Sequence, residues 1–210
     1  MIMYRVAVVA HVNRFERAVK LAAQLGAAVF VDDGSQGEWN NHARAWQYLA
    51  GQQADWGVVL QDDAVVTDSF HEDLASLLDH VPSRSCVGLY AGTSYPGFIQ
   101  QRLKHAIDAA VRYGAGWLES DTLFWGVGVA MPLEHVLPAL ALPSALPYDQ
   151  RLGNYFRHKG LPVYYPARSL VDHEDGPSLV EHADGLPRVL PRRAHRFGPP
   201  TARNTRTVEF

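Results

Sequence analysis

The apolar positions of the chain follow two periods. Val6 to Ala10 is an unbroken apolar run of β-branched character, which predicts a strand buried on both faces. Phe15, Ala18, Val19, Ala22 and Leu25 then recur at helical spacing, and Gly26 supplies the stop. Ala27 to Val31 predicts a second buried strand, closed by the turn cluster Asp32-Asp33-Gly34-Ser35. A helix over Asn41 to Leu49 and a strand over Trp56 to Leu60 come next, the strand running into Gln61-Asp62-Asp63. Phe70 to Leu78 predicts an amphipathic helix capped by Asp68 or Ser69, and Cys86 to Tyr90 a fourth strand. This alternation predicts right-handed crossovers and a mostly parallel sheet, the α/β class. Ligands of such sheets sit at the carboxyl ends of the strands, where both acidic clusters fall.

The second half is less regular. Gln100 to Arg112 predicts a helix, Phe124 to Met131 a glycine-rich strand, Tyr148 to Lys159 a helix stopped by Gly160, and Pro162 to Tyr165 a strand. Residues 186–210 carry six arginines (Arg188, Arg192, Arg193, Arg196, Arg203 and Arg206) against one acid, with four prolines. They read as a basic, extended tail, partly disordered.

Composition narrows the class. The 210 residues, 47% hydrophobic and 20% charged, suffice for one domain. A net charge of −3 excludes a uniformly basic nucleic-acid coat and an acidic disordered chain. The apolar runs fall short of the ~20 residues of a membrane helix. One cysteine, Cys86, excludes a disulfide framework and a cysteine-based zinc site. No signal-peptide pattern opens the sequence, so the expectation is a cytoplasmic protein without a membrane partner.

Adjacent carboxylates repel, so Asp62-Asp63 at a strand end either face water or wait for a cation such as Mg2+ or Mn2+. Asp32-Asp33-Gly34-Ser35 is either a plain turn or a place where an aspartate receives a ribose hydroxyl or a base N–H.

The order Val31-Asp32-Asp33-Gly34-Ser35, Asn41 to Ala45, then Val59-Leu60-Gln61-Asp62-Asp63 resembles GT-A glycosyltransferases. The first half is similar to the large inverting family 2. Leu60-Gln61-Asp62-Asp63-Ala64-Val65 is similar to the lipopolysaccharide and procollagen galactosyltransferases, whose motif is Glu-Asp-Asp. The resemblance implies a Rossmann-like, mostly parallel central sheet flanked by helices, with a smaller mixed acceptor-side half. Residues 1–185 would be the catalytic domain, 1–95 binding the nucleotide-sugar and 96–185 facing the acceptor, with 186–210 as the tail. It implies Asp32 as the nucleotide-binding acid, Asp62 beside the donor ribose or sugar, and Asp63 on a Mn2+ or Mg2+ that bridges the donor diphosphate. Gln61 departs from the pattern, which carries an acid there. Arg44 suits the diphosphate or remains a solvated helix charge. His11, Asn13 and Arg14 fall where the nucleotide base is held. Asp149 corresponds to the general base, with Asp121 and Glu119 as rivals; His173 corresponds to a late histidine drawn to the metal, with Asp172 beside it. Trp125 and Gly126 resemble the acceptor strand.

The implied function is an inverting, metal-dependent transfer from a nucleotide-diphosphate sugar, UDP-linked by preference, to an acceptor hydroxyl. Stereochemistry stays open to retention. The compact form resembles glycosyltransferases of bacteriophage and actinobacterial genomes, whose acceptors include modified DNA bases and virion proteins, and the basic tail would suit DNA. Two other classes remain: a metal-dependent phosphoesterase built on Asp62, Asp63, His71 and His173, and a non-catalytic carbohydrate- or nucleic-acid-binding module.

Overall fold

A computed structural model describes residues 2–174, 191–201 and 203–210. In chain order the elements are β1 (Tyr4–His11), α1 (Phe15–Leu25), β2 (Ala28–Asp32), α2 (Gly37–Ala50), β3 (Trp56–Gln61), β4 (Ala64–Val66), α3 (Phe70–Leu78), β5 (Cys86–Gly88), α4 (Gln100–Tyr113), β6 (Trp117–Ser120), β7 (Gly128–Pro132), α5 (Val136–Ala141), α6 (Tyr148–His158), β8 (Val163–Pro166), β9 (Val171–His173) and β10 (Thr207–Glu209).

Eight strands form one mixed sheet in the order β10-β6-β8-β5-β7-β3-β1-β2. The apolar runs of β1 and β3 are buried on both faces, as a sheet covered by helices requires. β1 lies parallel to β2 on one side and to β3 on the other. β7 is antiparallel to both β3 and β5. Four of the seven pairings are parallel, so the sheet is more mixed than the alternation of the first 90 residues predicts. β7, from the second half, lies between β3 and β5 of the first, so the halves are interleaved in one sheet. A second, two-stranded sheet pairs β4 with β9 and sets Ala64 opposite His173.

The helix stops follow the glycines. Gly26 and Gly114 adopt left-handed φ of 58° and 64°, each returning its N–H to the carbonyl four residues back. α2 begins a turn earlier than the apolar spacing predicts, at Gly37 rather than Asn41. β7 starts at Gly128, four residues later than expected, and residues 124–127 lie outside the strand, with Val127 O accepting from Gln61 N–H.

The basic segment is extended but built into the molecule where it is described. Ala194 and Arg193 bond back to Asp172 and His173, while His195 N–H donates to Ala91 O and Ser169 N–H to Arg196 O. β10 then joins the edge of the sheet parallel to β6, and Phe210 is buried against Phe124 and Tyr165. Arg188 and the end of the 1–185 span lie outside the described residues. Among the described residues no helix is long and apolar enough to cross a membrane.

Candidate functional site

The loops that follow β1, β2 and β3 converge because β1 lies between the other two. The register sets His11 level with Asp32 on one side and Val9 level with Gln61 on the other. His11 ties them together. Its backbone N–H donates to Asp62 Oδ2 at 3.0 Å, and its Nε2 lies over the Gly34 turn. Its Nδ1 accepts from the N–H of Asn13, itself exposed.

Asp32 is buried, and its carboxylate receives three backbone amides: Gly34 and Gln36 on Oδ1, Gly37 on Oδ2. It therefore builds the turn and closes the N-terminus of α2, whose first amides lack helical partners. Asp33 points to solvent, its carboxyl held below the usual range by hydrogen bonds from Ser35. Asn41, on α2, donates to Ala10 O and Phe30 O and so fastens the helix to the ends of β1 and β2.

A cationic side chain stands beside Asp62 and Asp63. Arg14 Nη1 reaches Asp62 Oδ1 at 3.0 Å and Asp63 Oδ2 at 2.6 Å, with all three side chains at most 16% exposed. Burial opposes the charge of Arg14, but the hydrogen bond to Asp62 and the charges of both carboxylates outweigh it and raise its pKa. Burial pushes the Asp62 carboxyl up against the pull of Arg14. Arg44 lies elsewhere: it is exposed, over the Phe30 ring, and donates to Val31 O and Gln36. The guanidinium that meets the acidic pair comes from the loop after β1 and not from α2.

The β4–β9 pairing delivers His173 to the same place, its Nε2 3.3 Å from Asp63 Oδ2. Burial holds this imidazole below its ordinary pKa. Asp63 Oδ1 and His173 Nδ1 are both buried without a hydrogen-bond partner. Among the described residues no group of three or more His, Cys, Asp or Glu side chains is placed to hold a metal. Mg2+ and Mn2+ take few protein ligands when a substrate phosphate and waters complete the shell, and the unpartnered Asp63 Oδ1 is the atom at which such an ion would be met. Asp172 is engaged with Ala194 N–H and Arg193.

Gln61 is the last residue of β3, directly before the turn that carries Asp62 and Asp63. Its Nε2 donates to Glu38 Oε1 at 3.4 Å, on the first turn of α2. On the first turn of α6, Asp149 raises the pKa of Glu38 by its charge. Burial first, and the charge of Asp149 second, push Glu38 up to about 7; burial pushes Asp149 up to about 6. A helix N-terminus favours the ionised form by only about 0.3–1 kcal/mol, well under the cost of desolvating a carboxylate.

Aromatic packing holds α6 against α2. Tyr148 stacks 3.7 Å from the His42 ring and receives Trp46 Nε1–H on its hydroxyl. His42 is fully buried and neutral, its pKa lowered to about 4 by burial. Gly126 faces this cluster: a Cβ there would stand 2.8 Å from the Tyr148 ring and 3.7 Å from Gln61 Nε2. Trp125 instead packs into the interior among Tyr90, Phe124 and Tyr165, its Nε1–H given to Tyr95 O.

Other candidates fall outside the cleft. Asp121 is exposed and paired with Arg157, at the far end of α6 from Asp149, and Glu119 lies on β6 near the sheet edge. His71 bonds the Tyr4 hydroxyl at the opposite end of β1, about 23 Å of strand away. A cavity of about 300 Å³ beside Tyr4 and His71 also belongs to that end. The four-residue phosphoesterase constellation is therefore not assembled. Cys86 is a buried core thiol whose pKa burial raises.

Glu38 lies outside the apolar spacing, which predicts a helix only from Asn41, whereas α2 begins at Gly37. The spacing Ser35-x-x-Glu38 was the available signal, since it matches a capping box. The helix does start there, but Asp32 supplies the cap and Glu38 reaches Gln61.

No protein-family model matches the sequence, and no curated protein matches it. Among solved structures, A197 from STIV is similar with a TM-score of 0.47 and 10% identity, over 91% of this chain and 97% of that chain. A protein assigned as a glucose-1-phosphate thymidylyltransferase from Bacillus anthracis, in complex with a sucrose, is similar with a TM-score of 0.43 and 8% identity, over 77% of this chain and 86% of that one. At such identities neither neighbour speaks to the chemistry of the cleft.

Proposed function

We propose that this chain is a GT-A glycosyltransferase that moves a sugar, with inversion, from a nucleotide-diphosphate sugar to an acceptor hydroxyl. The observation that carries the reading is the cluster of Arg14, Asp62, Asp63 and His173 that meets just past the carboxyl end of β3, next to the turn that Asp32 builds after β2. The turn built by Asp32, with His11 and Asn13, lines the nucleotide end. Asp62 and Arg14 order the loop that meets the ribose and diphosphate.

Asp63 and His173 would hold the Mn2+ or Mg2+, which when bound supplies Lewis acidity to the leaving diphosphate. Asp149 is ionised at neutral pH yet desolvated enough to be a useful base. It takes the proton of the acceptor hydroxyl as the oxygen forms its bond to the anomeric carbon. The bond from that carbon to the diphosphate oxygen breaks, and the electron pair leaves with the diphosphate. Gly126 lets the Tyr148 ring pack directly against the backbone of the strand that the resemblance assigns to the acceptor.

Calorimetry with UDP and GDP, each with Mn2+ and with a chelator, tests the donor end. Binding of one nucleotide, weakened at least about tenfold in Asp63→Ala by loss of a charged contact, is expected. No heat with any nucleotide diphosphate, together with an Asp63→Ala protein indistinguishable from the parent, ends the reading.

A further inference from the structure

The four carboxylate oxygens of Asp62 and Asp63 are not equally engaged. Asp62 Oδ2 accepts from the His11 backbone N–H and Oδ1 from Arg14, both at 3.0 Å. Asp63 Oδ2 accepts from the same Arg14 Nη1 at 2.6 Å, with His173 Nε2 at 3.3 Å. Asp63 Oδ1 is buried with no hydrogen-bond partner. One guanidinium thus spans both side chains. A divalent cation that arrives alone finds a single open carboxylate oxygen, on a group whose other oxygen already meets a positive charge. Like charges that share one carboxylate in a desolvated place repel, and a hard ion held by so few protein oxygens depends on phosphate to complete its shell. Arg14 is also the outermost of the three, 16% exposed against 7% for Asp62 and 8% for Asp63. An anion entering from solvent meets the guanidinium before either carboxylate, and a guanidinium suits two phosphate oxygens at once.

We infer that Arg14 is the resident counter-ion of the acidic pair: it competes with a divalent cation for Asp63 and yields when a diphosphate takes its guanidinium, so that metal and nucleotide each strengthen the other's binding. This deepens the transferase reading and rests on it for the diphosphate; the competition between Arg14 and the cation does not. No bond is made or broken in the exchange. Arg14 passes its hydrogen bonds from carboxylate to phosphate oxygen, and linkage makes the resulting coupling reciprocal.

Titration of the full-length protein with Mn2+, followed by the paramagnetic resonance of the free ion, tests the competition without turnover. The parent alone is expected to bind Mn2+ with a Kd above about 1 mM. Saturating UDP or GDP should tighten that by at least about tenfold, after subtraction of the nucleotide's own binding of the ion. Arg14→Met should bind Mn2+ alone at least about tenfold more tightly than the parent, because a competing charge is gone. Adding Asp63→Ala should abolish the gain, and Arg14→Lys, which keeps the charge, should behave as the parent. Mn2+ should also raise the Tm of Arg14→Met and leave that of the parent in place. Tighter binding of Mn2+ by the parent alone overturns the proposal and needs no variant, so it survives a failure of Arg14→Met to fold. A nucleotide that binds without tightening the metal overturns it too, as does a folded Arg14→Met with parent-like Mn2+ affinity. A gain in Arg14→Met, in a protein that binds no nucleoside diphosphate, supports the competition and removes the transferase reading.

Discussion

Asp62 and Asp63 share the guanidinium of Arg14, whereas Glu38 and Asp149 share no cation among the described residues. Asp62 and Asp63 follow the carboxyl end of β3, whereas Glu38 and Asp149 lie on the first turns of α2 and α6, Glu38 receiving a hydrogen bond from Gln61, the last residue of that strand. The first is neutralised and tied to the loops of β1 and β9, so its charges serve order and placement. The second is left with raised pKa values, which costs stability at neutral pH and keeps a reactive group poised. The largest expected effect lies there. Asp149→Asn should lower glycosyl transfer by about 10²–10⁴-fold, roughly 3–5 kcal/mol of barrier. The same variant should melt higher than the parent at pH 8, because the desolvated charge is gone. Loss of turnover with loss of stability would place Asp149 in the framework instead.

Stability separates the pairs by sign. Arg14→Met leaves two buried carboxylates without their partner and should destabilise by about 3 kcal/mol. For a chain of this size that is a fall of roughly 6–12 °C in Tm by calorimetry. Glu38→Gln should do the reverse within a defined window. The carboxyl is raised in the folded protein, so folding favours its protonated form; that contribution is whole below the ordinary pKa of 4.5 and is lost as pH rises to about 7. Glu38→Gln should therefore match the parent at pH 4 and exceed it by about 1–3 kcal/mol at pH 8 in denaturant unfolding. Equal stabilities at pH 8 would mean that Glu38 has a cation after all.

The contrast also marks what the sequence could show. Strands β1 and β3 were legible because full burial leaves continuous apolar runs; β2 was legible from its apolar run too, although it is the half-buried edge of the sheet and not the buried strand expected, and the two acidic clusters were legible because the runs of β2 and β3 end in them. The place of His173 beside Asp63 came from the resemblance and not from spacing, since it depends on a three-residue pairing between β4 and β9. Which arginine would meet the acids was not legible. Arg14 and Arg44 both precede the second acidic cluster, and only the order β2-β1-β3 decides which loop is near. Glu38 was hidden by a helix start in which three of the first four residues, Gly37, Glu38 and Asn40, are polar or small. The basic segment lacked long apolar runs because it is held by backbone hydrogen bonds to residues 91–93 and 169–173 rather than by a helix face.

Two smaller substitutions sharpen the same comparison. Gly126→Ala adds a methyl 2.8 Å from the Tyr148 ring, on the side of the cation-free pair only. It should cost about 1–2 kcal/mol, read as a raised acceptor KM with nucleotide binding unchanged by calorimetry. A matching loss of nucleotide affinity would show that the acceptor and nucleotide sites are not separable.

The smallest effect should come from Arg44→Ala. Its guanidinium is exposed, lies 5.9 Å over the Phe30 ring and reaches Gln36 on the outer side of β2, so its removal exposes no charge and breaks no buried pair. A surface contact of this kind contributes within about 0.5 kcal/mol. Arg14 and Arg44 have the same chemistry and differ only in what surrounds them. Nucleotide calorimetry on Arg44→Ala beside Arg14→Met thus asks whether position or charge count governs the donor end. Parent-like affinity in Arg44→Ala is expected; a drop as large as that of Arg14→Met would mean that the diphosphate lies over α2, and that the acidic pair tied by Arg14 organises the loops without touching the donor.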